Sequence, residues 1–233
     1  MMLPLLLLLP LATGAAADDG QVNMTKRCIP AGPPESAGSC LDGSPYCFYE
    51  RLNASSTKWV FFFEGGGACE GAEACVQRGL TGGGLGSSTN LSASRKPFKV
   101  GDLVDGWNQV FLPYCDGSVW KGTMTKPRTV PTTPPAPPGP PGQYLACGHL
   151  NAVATLNTLL ADSGDGGLAK ASHVIVSGGS AGGIGAFTHA DYVRELPELK
   201  DADVRAAPMC GWFYPDVASY PAWQANKSAG ISW

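Results

Sequence analysis

The stretch His173-Val-Ile-Val-Ser-Gly-Gly-Ser-Ala-Gly-Gly-Ile-Gly-Ala-Phe187 decides the fold. It opens with a short β-branched, apolar run that is typical of a buried strand. The run breaks into Gly178-x-Ser180-x-Gly182, and small and apolar residues that can begin a helix follow at once. The stretch therefore predicts a strand, a sharp turn and a helix, with Ser180 at the corner.

Ser180 is a candidate nucleophile because of where such a turn would place it. A serine hydroxyl attacks a carbonyl only when a base can take its proton, and a strained corner exposes the oxygen to both groups. The flanking glycines suit a corner that crowds strand against helix, and the amide of Ala181 would point at a developing oxyanion. The alternative is a plain glycine-rich turn, since a lone motif of this kind is common.

Two other uses of a glycine-rich turn do not fit this stretch. A phosphate-binding loop ends in Gly-Lys followed by Ser or Thr, and no lysine is present between residues 173 and 187. A trypsin-like site has an aspartate directly before the serine, where this chain has Gly179. The hydrolase interpretation of Ser180 is the one that we carry forward.

A second glycine motif follows a second buried-strand pattern. Lys58-Trp-Val-Phe-Phe-Phe63 is aromatic and β-branched without polar alternation, as expected for a strand covered on both faces. It continues into Glu64-Gly-Gly-Gly-Ala-Cys69, where three consecutive glycines expose backbone amides. In a serine hydrolase the other half of the oxyanion hole lies at this point of the chain. The alternative is a flexible connector.

Strand and helix patterns alternate along the remainder of the chain. The alternation predicts an α/β protein with a mainly parallel sheet and helices on both faces. The predicted strands are 46–50, 58–63, 109–114, 173–178 and 204–209, and the predicted helices are 149–160 and 184–196, with a short helix and a loop over 70–86.

Composition indicates one exported globular domain. The chain has 233 residues, is 44% hydrophobic and carries a formal net charge of -3, so it lacks the basic surface that nucleic acid would need. Residues 1–17 join a leucine run to small residues, which predicts a signal peptide before a domain over 18–233. No later stretch is apolar enough to predict stable membrane insertion. Eight prolines within 126–142 predict a stiff surface insertion in that domain.

Eight cysteines follow the leader, and in an exported chain an even number favours disulfides. Cys69 and Cys75 are close enough in sequence to bridge locally, and the other pairings stay open. Zinc is the competing explanation, but the chain has no C-x-x-C pair and no His-x-x-x-His cluster. Four glycosylation sequons fit the same compartment. They begin at Asn23, Asn53, Asn90 and Asn226.

Six motifs, taken together and in order, resemble the pectin acetylesterase and Notum family. They are Cys40-Leu-Asp-Gly-Ser-Pro45, Phe63-Glu-Gly-Gly-Gly-Ala-Cys69, Tyr114-Cys-Asp-Gly-Ser118, Ser177-Gly-Gly-Ser-Ala-Gly-Gly183, Thr188-His-Ala-Asp191 and Gly211-Trp-Phe213. The resemblance covers about residues 40–216 and is closest to the plant-type pectin acetylesterases. It implies an α/β-hydrolase-like fold, secreted carboxylesterase chemistry and a Ser, Asp, His triad.

The resemblance also implies roles for individual residues. Ser180 matches the nucleophile, and the amides of Gly66, Gly67 and Ala181 match the oxyanion hole. The pair Cys69–Cys75 looks like the family's local disulfide. Neither a metal nor a nucleotide cofactor is implied. The implied partner is an acylated polysaccharide or an acylated protein, met outside the cell or in the cell wall.

The chain departs from the family pattern at two points. Gly67 and Ala68 stand where the family often has an aromatic residue beside the oxyanion loop. The family's triad Asp and His lie well beyond the serine and have no counterpart before Trp233, so we expect an esterase domain that is incomplete at its C-terminus and nearly inactive as written. The three histidines present are expected to be structural, because none is predicted within hydrogen-bond reach of the Ser180 hydroxyl.

Three functions are compatible with these observations. The first is an esterase that removes acetyl groups from a polysaccharide. The second is a Notum-like carboxylesterase that removes a fatty acyl group, such as palmitoleoyl, from a protein. The third is a non-catalytic binding protein that retains the fold.

Overall fold

The structure is a computed structural model that describes residues 23–30, 38–98, 104–130, 142–162, 164 and 166–211. The predicted signal peptide, residues 131–141 of the proline-rich insertion and the sequon at Asn226 lie outside the described residues. So does the last part of the resemblance, from residue 212 onward.

The described residues form a mixed seven-stranded sheet, a separate two-stranded ribbon and three α-helices. In chain order these elements are β1 (Met24–Cys28), β2 (Cys47–Arg51), β3 (Lys58–Phe63), α1 (Ala72–Thr81), β4 (Ser94–Arg95), β5 (Asn108–Leu112), β6 (Arg128–Val130), β7 (Gly142–Tyr144), α2 (Gly148–Leu160), β8 (His173–Gly179), α3 (Ala181–Arg194) and β9 (Asp203–Met209).

The large sheet has the order β4-β1-β2-β5-β3-β8-β9. Strands β5, β3, β8 and β9 are parallel to one another, while β2, β1 and β4 extend the sheet with antiparallel pairing. This confirms the predicted α/β, hydrolase-like fold, and it adds an antiparallel half that the alternation of strands and helices did not predict. Helix α3 begins at Ala181, three residues before its predicted start, because the turn after β8 is a single residue long.

Successive side chains of β3 point to opposite faces of the sheet, and this alternation divides the core between the two faces. Trp59, Phe61 and Phe63 project from one face of the sheet and pack in one cluster with residues of both α2 and α3. Phe62 projects from the other face and stacks on Phe111 of β5, with 5.7 Å between ring centroids. We predicted helices on both faces. In the described part, α2 and α3 share the first face, and a loop covers Phe62 on the second, through Phe98 among others.

Three disulfides hold the described residues together, as the even cysteine count predicted. They are Cys28–Cys47, Cys40–Cys115 and the predicted local bridge Cys69–Cys75. Cys147 is buried and Cys210 is exposed, and neither forms a disulfide within the described ranges. The same ranges contain no group of three His, Cys, Asp or Glu side chains arranged to hold a metal ion.

The proline-rich insertion leaves from and returns to the two-stranded ribbon. Strand β6 pairs antiparallel with β7, and Val130 lies opposite Gly142. The first residues of the predicted insertion therefore belong to a strand instead of a stiff excursion. In the described ranges no helix has the length and hydropathy that crossing a bilayer requires.

Candidate active site

Ser180 occupies the corner between β8 and α3 in a strained backbone conformation. Its dihedral angles are φ 57° and ψ -122°, a region that a residue with a Cβ rarely adopts. Its amide donates a hydrogen bond of 3.0 Å to the carbonyl of Met209, which ties the corner to the end of β9. Ser180 is exposed. The observed corner is the strand, sharp turn and helix that the sequence predicts.

Glycines flank Ser180 because the end of β3 approaches the turn between β8 and α3 so closely that a Cβ would not fit. A Cβ on Gly182 would overlap the carbonyl oxygen of Phe63 at the end of β3. A Cβ on Gly178 would overlap the carbonyl oxygen of Gly182 and lie 2.6 Å from that of Phe63. Gly179, in contrast, faces open space. The first and last glycines of the motif are therefore sterically required, and the middle one is not.

The triple-glycine segment passes directly beside Ser180. Strands β3 and β8 are parallel neighbours with Phe63 opposite Gly178, so their carboxyl ends lie at the same edge of the sheet. A Cβ on Gly65 would lie 3.1 Å from the Cβ of Ser180 and would overlap the carbonyl oxygen of Gly179. The fold therefore brings together the two glycine motifs, which are more than one hundred residues apart in the sequence.

Several backbone amides at this edge have no hydrogen-bond acceptor within the described part of the chain. Those of Gly65 and Ala68 are two of them, and those of Gly66, Gly67 and Ala181 are three others. Gly67 is exposed and has a left-handed φ of 71°, and Ala181 is the first residue of α3, where helix amides lack partners and the helix dipole is positive. Gly66, Gly67 and Ala181 are the residues predicted to donate to an oxyanion. Their distances to a bound substrate stay a prediction.

Three side chains hold the triple-glycine segment by its carbonyl groups. Trp120 Nε1 donates to the carbonyl of Glu64 at 3.0 Å, Arg78 Nη2 donates to that of Gly66 at 2.6 Å, and Tyr114 Oη donates to that of Gly67 at 2.8 Å. Tyr114 and Trp120 lie in or next to the Tyr114–Ser118 motif. No signal in the sequence pointed to Arg78.

The histidines lie where a structural role is expected. His149 and His189 stack with 5.2 Å between ring centroids, and Nδ1 of His149 is 3.2 Å from Nε2 of His189. Nδ1 of His189 is 2.8 Å from the carbonyl of Gly185, so two Nδ1-protonated rings satisfy both contacts. Burial lowers the pKa of His189 to about 4, which keeps the ring neutral near pH 7.

Neither the histidine before Ser180 on β8 nor the one after it on α3 lies at Ser180. His189 is nine residues along α3 from Ser180, a rise of about 13 Å. His173 begins β8, seven residues before Ser180 along the strand, which is about 20 Å away. Within the described ranges, no histidine of this chain therefore reaches the serine hydroxyl.

Asp116 is a carboxyl group near the site whose burial changes its pKa. It is fully buried, and one of its oxygens accepts from both the amide and the hydroxyl of Ser118. Its other oxygen has no hydrogen-bond partner among the described residues. Burial raises the pKa of Asp116 to about 6. A Cβ on Gly148 would overlap the carboxylate, so the aspartate is packed tightly against the start of α2.

Comparison with known proteins gives the same family as the motifs. A family model described as "PAE: Pectinacetylesterase" matches residues 21–227. Pectin acetylesterase 5 of Arabidopsis thaliana is 32% identical over 200 residues, which cover 80% of this chain and 42% of the relative. Pectin acetylesterase 4 of the same plant is 29% identical, with coverage of 79% and 47%.

The Notum branch also matches. Palmitoleoyl-protein carboxylesterase NOTUM of Mus musculus is 30% identical over 185 residues, which cover 75% of this chain and 34% of the relative. The chain thus spans less than half the length of each of these three relatives. The family model nevertheless matches most of the chain, including both glycine motifs. The chain therefore belongs to the pectinacetylesterase family.

Proposed function

We propose that the protein is a carboxylic ester hydrolase with Ser180 as its nucleophile. The observation that carries this proposal is the exposed, strained serine at the corner of β8 and α3, with Gly65 packed against it. Backbone strain of this kind persists only where the surrounding structure imposes it, and it clusters at functional sites. The family relationship supports the same reaction class, since its named relatives are esterases.

In the proposed mechanism, Oγ of Ser180 attacks the ester carbonyl carbon and a base takes the hydroxyl proton. The tetrahedral oxyanion accepts hydrogen bonds from the amides of Gly66, Gly67 and Ala181. The tetrahedral intermediate expels the alcohol to leave an acyl-serine, and water then releases the acid. One oxyanion donor is worth on the order of 10²- to 10³-fold in rate.

The general base comes from outside the described residues in this proposal. All three histidines of the sequence lie within the described ranges, and two are engaged with each other. The resemblance to the family implies that the triad Asp and His follow the serine in the chain. In this proposal the described residues supply the nucleophile and the oxyanion donors, and they do not supply the base.

We infer a secreted enzyme acting on an acetylated polysaccharide. The plant pectin acetylesterases support the substrate class, and the leader, the disulfides and the sequons support the compartment. Asn23 and Asn90 are exposed, as glycosylation requires. The matches to palmitoleoyl-protein carboxylesterases support the second candidate, a protein deacylase, equally well in percentage identity.

The test is hydrolysis by the protein secreted from its complete coding sequence. Release of acetate from acetylated pectin and of acid from a palmitoleoylated peptide would be measured for the native protein, for Ser180→Ala and for Ser177→Ala. Ser177 is a matched control, because it lies three residues earlier and its hydroxyl donates to the carbonyl of Ala207. We expect Ser180→Ala to lose at least about 10³-fold in turnover and Ser177→Ala to retain it.

The outcomes separate the three functions. Acetate release alone supports the polysaccharide esterase, and preference for the long acyl chain supports the protein deacylase. Undiminished turnover in Ser180→Ala would remove Ser180 from the mechanism. A native protein that is as inactive as Ser180→Ala on both substrates would favour the non-catalytic binding protein.

A further inference from the structure

We propose that Arg78 is a positioning residue that, together with Tyr114, orients the Gly67 amide for the oxyanion. This inference rests on the proposed esterase function and assigns the parts that hold its oxyanion hole in shape. Neither side chain is proposed to touch the substrate. Each acts through a carbonyl group of the triple-glycine segment.

Arg78 is bound on three sides. Its Nη2 donates to the carbonyl of Gly66 at 2.6 Å, and its Nε donates to the carbonyl of Leu85 at 3.0 Å. Its guanidinium carbon lies 5.2 Å from the ring centroid of Tyr114. A planar group with two directed hydrogen bonds and one stacked face has little freedom to turn. The Gly66 carbonyl is therefore held in one direction.

The direction of that carbonyl decides the direction of the proposed donor. In a trans peptide the C=O of one residue and the N–H of the next lie in one plane and point in opposite directions. Arg78 holds the C=O of Gly66, so it also fixes the N–H of Gly67. Without such a restraint, a glycine pair populates many backbone conformations, including those that rotate the amide away.

Tyr114 fixes the other side of Gly67. Its hydroxyl donates to the carbonyl of Gly67 at 2.8 Å and accepts from the amide of Val119 at 2.8 Å. The hydroxyl is thus used as both donor and acceptor and is itself held in place. With the peptide groups before and after it both bound, Gly67 is kept in its left-handed conformation at φ 71°.

The local disulfide holds Arg78 beside the triple-glycine segment. Cys69 ends the triple-glycine motif and is bonded to Cys75 on α1, and Arg78 lies three residues later on the same helix, close to one turn. A Cβ on Gly66 would lie 2.7 Å from Leu85 and 2.8 Å from Tyr114. The segment is therefore enclosed by the same residues that bind Arg78, and a Cβ at Gly66 would force their side chains to shift.

The first test is steady-state kinetics on a p-nitrophenyl acetate substrate with the protein from its complete coding sequence. We expect Arg78→Gln and Tyr114→Phe each to lower kcat by about 10- to 100-fold with little change in KM, because a displaced donor loses part of the 10²- to 10³-fold value of an intact one. Arg78→Lys should fall between, since an ammonium group cannot bind both carbonyls in a planar fork.

Matched controls exist for both residues. Arg27→Gln removes a guanidinium that also lies over an aromatic ring, that of Phe48, and is also held by a hydrogen bond, to Asp162; it belongs to β1, three positions from β3 in the sheet order. Tyr46→Phe removes a buried hydroxyl that also donates to a backbone carbonyl, that of Pro113. Both controls should keep kcat within about 3-fold of the native protein, far from the loss of a displaced donor.

The second test does not depend on activity. The ¹⁵N order parameter of the Gly67 amide should be near 0.85 in the native protein and below about 0.6 in Arg78→Gln, with the control Arg27→Gln unchanged. An ordered Gly67 amide in Arg78→Gln, or native kcat in both Arg78→Gln and Tyr114→Phe, would overturn the inference. If the native protein hydrolyses no ester while Gly67 loses order as expected, the proposed function fails and the positioning role stands.

Discussion

Replacing Gly182 with alanine tests the close approach of backbones at the corner that holds Ser180. Helix propensity alone predicts a gain of stability, because alanine is better than glycine inside a helix by about 0.8 to 1.0 kcal/mol. The structure predicts the opposite sign. A Cβ at this position would overlap the carbonyl oxygen of Phe63 and would lie 2.6 Å from its carbonyl carbon and 2.8 Å from the carbonyl oxygen of Glu64.

The size of the loss follows from which atoms are in the way. Forcing an extra methyl group into a packed region costs about 1 to 3 kcal/mol, and the upper end applies here because backbone atoms cannot rotate aside. Gly179 is the matched control, since it is three residues away, has open space around its Cα and is absent from the glycines with positive φ. Gly179→Ala should gain about 0.4 to 1 kcal/mol from its reduced unfolded-state entropy.

The two variants should therefore differ by about 3 to 4 kcal/mol, which for a chain of this size corresponds to roughly 10 °C in Tm. The assay is denaturant unfolding followed by tryptophan fluorescence, with thermal unfolding as a second measure. Equal midpoints for Gly182→Ala and Gly179→Ala would refute the packing argument. Failure of Gly182→Ala to fold, beside a native-like Gly179→Ala, would agree with it.

Three further predictions concern pH and disulfides. Burial raises the pKa of Asp116 to about 6, so the native state holds this proton more tightly than the unfolded chain, and this group alone lowers stability by about 3 kcal/mol as pH rises from about 4 to about 6. Burial lowers the pKa of His189 to about 4, so this group alone raises stability as pH rises from about 4 to about 6.5. The two contributions oppose each other in the native protein, so in urea unfolding Asp116→Asn should leave a rise of stability with pH, and His189→Phe should leave a fall. A pH dependence that neither substitution alters would contradict both assignments. Removing the Cys40–Cys115 bridge, which spans 75 residues, should cost about 4 kcal/mol, and removing Cys69–Cys75, which spans 6, about 2 kcal/mol in the same assay; equal losses would argue against loop closure as the cause.

The corner that holds Ser180 and the neighbouring strand β3 could be predicted from the sequence, because each has a local sequence pattern. Residues 58–63 form β3 at the predicted bounds, since an aromatic run without polar alternation describes a strand with no solvent-facing side. Ser180 was placed at the corner because glycines before and after it mark a crossing of backbones. The structure then explains why Gly179 does not have to be glycine.

The antiparallel half of the sheet could not be predicted in this way, and neither could the side chains that bind the carbonyl groups of the triple-glycine segment. Strand β1 lies in a polar lead-in without alternation, and its pairing with β2 depends on partners 19 to 25 residues away and on the Cys28–Cys47 bridge. Arg78 lies in a helix with mixed polarity, where a half-buried arginine has the same sequence pattern as a solvated one. Its role depends on the carbonyl that it meets in three dimensions.

The paired strands β6 and β7 hold the two ends of the proline-rich segment, so the number of residues in the segment has little effect on the rest of the domain. Because Val130 and Gly142 are paired neighbours, the two ends of the segment stay at a fixed spacing whatever number of residues joins them. The entropy of closing a loop grows only slowly with its length, by about 0.6 kcal/mol for each doubling. An affinity tag or a reporter peptide spliced between them should therefore leave the stability of the protein almost unchanged, which makes this a practical site for engineering.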